Sequence, residues 1–364
     1  MEYIETDDGY SIVEEYNASI SRKVTLIIAL AVSVFILMCF ASTIGTGMVD
    51  TWDVPSIIWN HILGATYEYN SPEWWADYLV WEVRMPRAIM AIVGGASLAL
   101  CGAAVQSLMG NPLADPYTMG IASGAVFGAS VAIICGFSFG SAIGTYGIAV
   151  NAFVFGLIPV TVVLGLSKLI TLNPVTLILV GVAISQFFGS ITNLIMVGTD
   201  EESLQGAYLW QIGSLDGAVW SEIPLMLSLV IVSGVALYVV SWKFNVISLG
   251  DESAKTLGVD ADRFRLIVLT LMALLTMSVV AFTGIIGFVG IIAPHIIRFL
   301  IGSDNKFVLP ASVLMGALLL LSADCISRGI VSYSIPVGAI MSLIGGPIFI
   351  YLVVKKNSIF KGAW

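Results

Sequence analysis

The stretch Val24–Ile44, VTLIIALAVSVFILMCFASTI, decides the class of this chain. It carries no charged residue. A helix rises about 1.5 Å per residue, so a run of this length matches the ~30 Å hydrocarbon core of a bilayer. Ile267–Phe282 repeats the pattern. Across 364 residues, 58% are hydrophobic and 11% are charged. The mean hydropathy is +0.98. A soluble domain carries about 25% charge. The composition therefore excludes a soluble enzyme, a disordered chain and a nucleic-acid binder.

Working outward, apolar blocks fall at 24–45, 88–109, 118–136, 147–168, 175–197, 222–242, 264–283, 286–302, 308–328 and 336–354. Backbone groups in lipid must be satisfied internally, which leaves helices or closed barrels. The blocks lack the alternation of barrel strands. The expectation is an all-α integral membrane protein with ten transmembrane helices. Residues 1–23 read as an acidic, polar and mobile cytoplasmic tail. The tail is not a cleavable signal, because the apolar run after it is too long. Residues 24–364 read as one transmembrane domain.

The net charge of −9 sums 15 Lys+Arg and 24 Asp+Glu. Their placement sets the orientation, because basic residues favour the cytoplasmic side. With the N-terminus inside, Arg22, Lys23, Lys168, Lys243, Lys255, Arg263, Arg265, Arg298, Lys306, Lys355, Lys356 and Lys361 lie in the cytoplasm. Arg84, Arg87 and Arg328 lie outside. Both termini are expected to be cytoplasmic.

Several chemistries are missing. No G-x-x-x-x-G-K-[ST] phosphate loop and no H-E-x-x-H zinc motif occurs. Cys39, Cys101, Cys135 and Cys325 each stand alone in apolar surroundings and read as small buried hydrophobes. His61 and His295 are too far apart in sequence to suggest a metal site. No catalytic residue is expected. The spans hold almost no carboxylate, which argues against an ion-coupled secondary transporter. Asp324 is the exception. It precedes Arg328 by four residues, which places the two on one helix face as an ion pair.

Two segments suggest contact with other chains. Val246–Arg265 is the longest inward connection. Within it, Asp251 or Ser248 could cap a short helix and Gly258 could end it, with Ala254 and Leu257 on one face. Such a helix is too short to persist alone. It must pack on its own bundle or dock in a partner. Outside, Arg84-Met-Pro-Arg87 and Arg328 either snorkel to lipid phosphates or meet an acidic partner. The connection Thr46–Val83 is rich in Trp and Tyr, which favour the membrane interface. Gly120, Gly124 and Gly128 form a small-residue face for helix packing. Gly284, Gly287 and Gly290 occupy a break between spans.

Together these motifs resemble the permease subunits of type II ABC importers for iron–siderophore, haem and vitamin B12. The matching residues are Arg84–Arg87, Gly102-Ala-Ala-Val-Gln106, Asn111-Pro-Leu-Ala-Asp-Pro116, Gly120–Ala125 and Trp210–Leu215. They continue with Gly250–Gly258, Gly284–Arg298, Ala323–Arg328, Ile335–Gly338 and Gly346–Phe349. The resemblance implies a fold like that of the vitamin B12 importer permease and a homodimer in the cell membrane. It also implies two cytoplasmic ATPase subunits that hold ATP and Mg, and an extracytoplasmic substrate-binding protein. No cofactor is then expected in this chain. Gly250, Asp251, Glu252, Ala254, Leu257 and Gly258 would couple to the ATPase. Arg84, Arg87 and Arg328 would dock the binding protein. Ser185, Gln186 and Asn193, with the segment Ser203–Gly213, are candidate lining of the path. The expected cargo is an iron chelate, ferric siderophore or haem. Cobalamin is the alternative.

Overall fold

The computed structural model describes residues 12–45, 49–139, 144–167, 169, 173–329 and 335–359. Every regular element among them is helical. In chain order these are α1 (Ile12–Thr43), α2 (Val54–Ile62), α3 (Pro72–Tyr78) and α4 (Met85–Met109). Next come α5 (Ile121–Cys135), α6 (Thr145–Leu166), α7 (Pro174–Val197) and α8 (Glu201–Ile212). The chain continues through α9 (Ile223–Val239), α10 (Ser241–Ile247), α11 (Asp251–Thr256) and α12 (Ala261–Thr283). It closes with α13 (Val289–Ile301), α14 (Asn305–Gly329) and α15 (Val337–Ile359).

Among the described residues, six helical stretches are long and apolar enough to cross a bilayer. The pair α9 and α10, bent by 56°, makes a seventh if taken as one span. α5, α13 and the apolar part of α15 are shorter. Each expected apolar block is therefore a helix, but three fall short of a full crossing by length. The tail expectation needs correction, because α1 begins at Ile12 and residues 12–23 are helical. Glu14 and Glu15 in its first turn suit the positive end of the helix dipole. Residues 1–11 lie outside the described residues. So does Lys168.

The second block also starts earlier than expected. α3 runs through a π-helical turn, Leu79–Arg84, directly into α4. α4 is the centre of the bundle. The most apolar window of this continuous stretch is 89% buried, against 17% for α1. α4 packs against α9, α12, α13 and α14. Lipid supplies little hydrophobic drive between helices, so close backbone approach must hold them. A Cβ built on Gly95 would strike the carbonyl of Gly316 on α14. One built on Gly102 would strike the carbonyl of Gly290 on α13. Gly124 and Gly128 meet the backbone of α6 at Phe155 and Asn151, so the small-residue face does pack as expected. Of the cysteines, Cys101 and Cys325 are buried, whereas Cys39 and Cys135 are exposed on the outside of the bundle. The expectation of burial fails for those two because membrane helices also turn apolar residues outward.

Aromatic contacts brace the connection between α1 and α4. His61 stacks on Trp81 at 4.2 Å, and Trp81 lies 5.3 Å from Trp220. His61 Nδ1 also lies 2.8 Å from the Asp77 carboxylate.

Gly102→Ala should push α4 from α13 and lower the thermal midpoint of the purified protein, at a cost of about 1–3 kcal/mol or more. Gly165→Ala, where a Cβ meets nothing within 4 Å, should be neutral or stabilise by up to about 1 kcal/mol. Parallel melting curves of the two variants test the seam.

Candidate functional site

One end of the bundle collects the three arginines expected outside. Arg87 Nε donates to Asp324 Oδ1 at 2.7 Å, and its Nη1 is paired with Asp216. Arg87 Nη2 donates to Ser327 Oγ at 3.3 Å. Arg328 Nη2 lies 2.7 Å from Asp324 Oδ2, the expected ion pair, and its Nη1 donates to the Ile44 carbonyl at 2.9 Å. Arg84 donates to the carbonyls at the end of α1, Thr43 at 3.3 Å and Gly45 at 3.4 Å. The structure thus brings all three together, with their side chains buried against their own chain. Simple snorkelling into lipid head groups does not describe them. A carboxylate from another protein could reach these guanidiniums only by taking the place of a present partner.

Asp216 had no signal in the sequence. It stands 129 residues from Arg87 in a loop between α8 and α9, and only the fold joins them. Asp324 is fully buried, while the Asp216 side chain is 47% exposed.

At the opposite end, α11 is a six-residue helix. The capping expectation is corrected here. Gly250 occupies the N-cap and makes no side-chain bond, and Asp251 is already helical. The Asp251 carboxylate instead takes a two-pronged bond from Arg265, Nη2 at 2.6 Å and Nη1 at 2.9 Å. Fork-like pairing of this kind is geometrically specific. The Arg265 bond holds the Asp251 carboxyl below its ordinary pKa. Gly258, at φ +80°, follows the helix and turns the chain. Ala254 is buried, but Leu257 is 57% exposed. The two do not share a face, because Leu257 is the C-cap and points away. Leu249 is also exposed. The segment encloses a cleft of about 570 Å³ lined by Asp251, Lys255, Asp260 and Asp262.

A second polar network braces this end. Asn245 on α10 accepts from the Asn305 backbone N–H at 2.9 Å and donates to Asp304 at 2.8 Å. Arg298 donates to Ser107 Oγ at 2.7 Å and to the Ala103 carbonyl at 3.2 Å. The bent α9–α10 pair is thereby tied to α14. Asn245 was not anticipated, since its partners are some sixty residues away.

α7 carries the candidate path residues. Gln186 and Asn193 are exposed and Ser185 is half-buried. Gln186, exposed Ser190 and Asn193 recur at helical spacing on one face. Gln186 and Asn193 therefore stand together, and Ser185 lies to their side. After α7, Asp200 caps α8 by accepting from Ser203 N–H at 2.9 Å. A further buried acid is Asp115. It caps the 3-10 turn Pro116–Met119 by accepting from Tyr117 N–H at 2.9 Å. Its other oxygen faces Gly290.

A bundle of apolar helices long enough to cross a bilayer, with charged clusters at both ends, defines a multi-pass membrane protein. Residues 21–355 match the FecCD transport family, and the chain belongs to that family. It is an ABC importer permease of this kind. It is 37% identical to the hemin transport system permease protein of Yersinia pestis over 284 residues, 78% of this chain and 85% of that one. It is 36% identical to the cobalamin import system permease protein of Halobacterium salinarum over 294 residues, 80% and 78% of the two chains. An inward-facing structure of a metal-chelate type ABC transporter superposes with a TM-score of 0.78 at 29% identity, covering 91% of this chain and 99% of that one.

Asp324→Asn should leave Arg87 and Arg328 buried without their shared counter-charge. Breaking a buried pair costs about 3–5 kcal/mol. Adding Arg328→Gln should recover part of that loss, since the two residues are coupled. Melting curves of the single and double variants check both statements.

Proposed function

We propose that this permease works as a homodimer of ten-helix copies with both termini in the cytoplasm. It moves an iron chelate, ferric siderophore or haem, handed over by an extracytoplasmic binding protein. Two separate ATPase subunits supply the free energy. The observation that carries this reading is α11. A helix this short is unstable alone. Here Ala254 and the Asp251–Arg265 fork hold it on the bundle, while Leu249 and Leu257 stay exposed beside the cleft. Exposed leucines on a rigidly held segment suit docking in the groove of a separate chain. In this reading, Gly250 and Gly258 set the turns at either end, Glu252 faces solvent, and Asp251 fixes the angle of the helix.

Alternating access follows from differential contact in two states. When the ATPase pair closes, α11 moves with it, and Asn245 carries the shift to α14. The exposed Gln186 and Asn193 face, with Ser185 beside it, suits the path between the two copies. A polar stripe on a membrane-crossing helix is costly against lipid, so it calls for a protein or aqueous neighbour. Amides and a hydroxyl bind weakly, which suits a cargo selected elsewhere and released inside. Arg84, Arg87 and Arg328 serve the binding protein at the outer end. The cobalamin reading stays beside the iron-chelate one, because the haemin and cobalamin relatives are almost equally similar.

Purification from native membranes should recover an ATPase in equal number with the permease. Leu249→Asp with Leu257→Asp should weaken that association about tenfold or more while the permease still folds. Ion-gradient-driven uptake by this chain alone in liposomes would overturn the reading. Uptake of radiolabelled haem, ferric siderophore and cobalamin by the reconstituted complex decides the cargo.

A further inference from the structure

Arg87 has two carboxylate partners of unlike character. Asp324 is wholly buried and pairs with Arg328 as well. It cannot leave without stranding two buried cations. The Asp216 side chain is 47% exposed, so it can be released into water at little cost. Asp216 is also tethered. Its backbone N–H is bonded to Ser214 Oγ at 3.0 Å, and that hydroxyl lies 3.1 Å from Asp216 Oδ2. Ser214 N–H donates to the Thr283 carbonyl at 2.8 Å. Gly213, the residue that ends α8, accepts from Gly338 N–H at 3.0 Å. Leu215 is buried. Three residues therefore separate the end of α8 from Arg87, a tether of about 10 Å at most.

We propose that Asp216 occupies, in the undocked permease, the position on Arg87 that a carboxylate of the outer binding protein takes on docking. Asp216 is thus a positioning residue that links docking to α8. The incoming carboxylate displaces Asp216, and the 213–222 loop loses its tie to Arg87, one of several contacts that hold it. α8 presents Tyr208 and Leu209 on an exposed face. The bonds from Ser214 N–H to Thr283 and from Gly338 N–H to Gly213 then carry the change to the end of α8. The inference rests on the docking reading above, and adds which internal contact docking breaks.

The sign of the effect separates this from a structural role. Loss of a structural contact weakens docking or leaves it alone, whereas loss of an internal competitor strengthens it. The test uses the full-length permease in nanodiscs and the binding protein recovered with it from native membranes. Asp216→Asn should dock about two- to fivefold more tightly than wild type, and Asp216→Glu should resemble wild type. In the permease alone, Asp216→Asn should speed amide hydrogen exchange across 213–222. Docking on wild type should do the same. Unchanged or weaker docking by Asp216→Asn overturns the proposal, as does exchange in 213–222 that neither docking nor the substitution alters. Absence of any binding protein on wild type sinks the docking reading itself, an outcome distinct from failure of Asp216 alone.

Discussion

The backbone seam along α4 is the constraint on which the remaining geometry depends. Side chains cannot fill the space between α4 and its neighbours at Gly95 and Gly102, so the helices meet backbone to backbone. That contact fixes register as well as distance. Arg87 stands eight residues before Gly95 on α4. Asp324 stands eight residues after Gly316 on α14, which runs the opposite way. Both offsets are about 12 Å along their helices. The glycine contact therefore sets the arginine and the aspartate level with each other at one end of the bundle. A helix slipped by one turn would leave Asp324 buried without Arg87.

The same logic governs the opposite half of the bundle. Gly102 meets Gly290, and Arg298, eight residues further along α13, reaches back to Ala103 and Ser107 on α4. Long side chains on a helix lean toward its N-terminus, which is the direction this reach requires. Charged groups in this bundle are therefore not scattered exceptions to an apolar rule. They sit where backbone packing has already defined a register, and they stabilise only that register. A network of this kind is costly if half made, which gives it specificity.

The sequence was most informative where the physics is local. Hydrophobic run length located the helices, because a bilayer imposes one length scale on each segment. The Asp324–Arg328 pair was readable for a similar reason, since four residues on a helix define a face. The helix at Asp251–Thr256 was also anticipated, but its anchor was not. Asp251 was read as a cap because caps depend on neighbours in sequence. Its actual partner, Arg265, is fourteen residues away across a turn. Asp216 and Asn245 were invisible for the same reason, being defined by partners that only the folded chain supplies. The burial of Arg84, Arg87 and Arg328 was likewise beyond reach. Composition tells which side a basic residue favours, but not whether its own chain has already engaged it.

The two ends of the bundle are built to different mechanical purposes. At the end away from the arginine cluster, α11 is held by a forked pair to Arg265, which is almost fully buried. A segment fixed in this way moves as a unit with the helices beneath it. Deeper in the bundle, Phe288 at φ +68° begins α13, a conformation that strains a residue bearing a side chain. A Cβ on Gly345 would lie 2.6 Å from Phe288 Cβ, so the absence of a side chain there is what admits the ring. Beside it, Gly213, Gly284 and Gly338 bring the end of α8, the break before α13 and the start of α15 into backbone contact. That junction is held backbone to backbone, by Ser214 N–H to the Thr283 carbonyl at 2.8 Å and Gly338 N–H to the Gly213 carbonyl at 3.0 Å. The two ends therefore differ in kind, one fixed by a charged fork between side chains and the other by backbone contact at glycines.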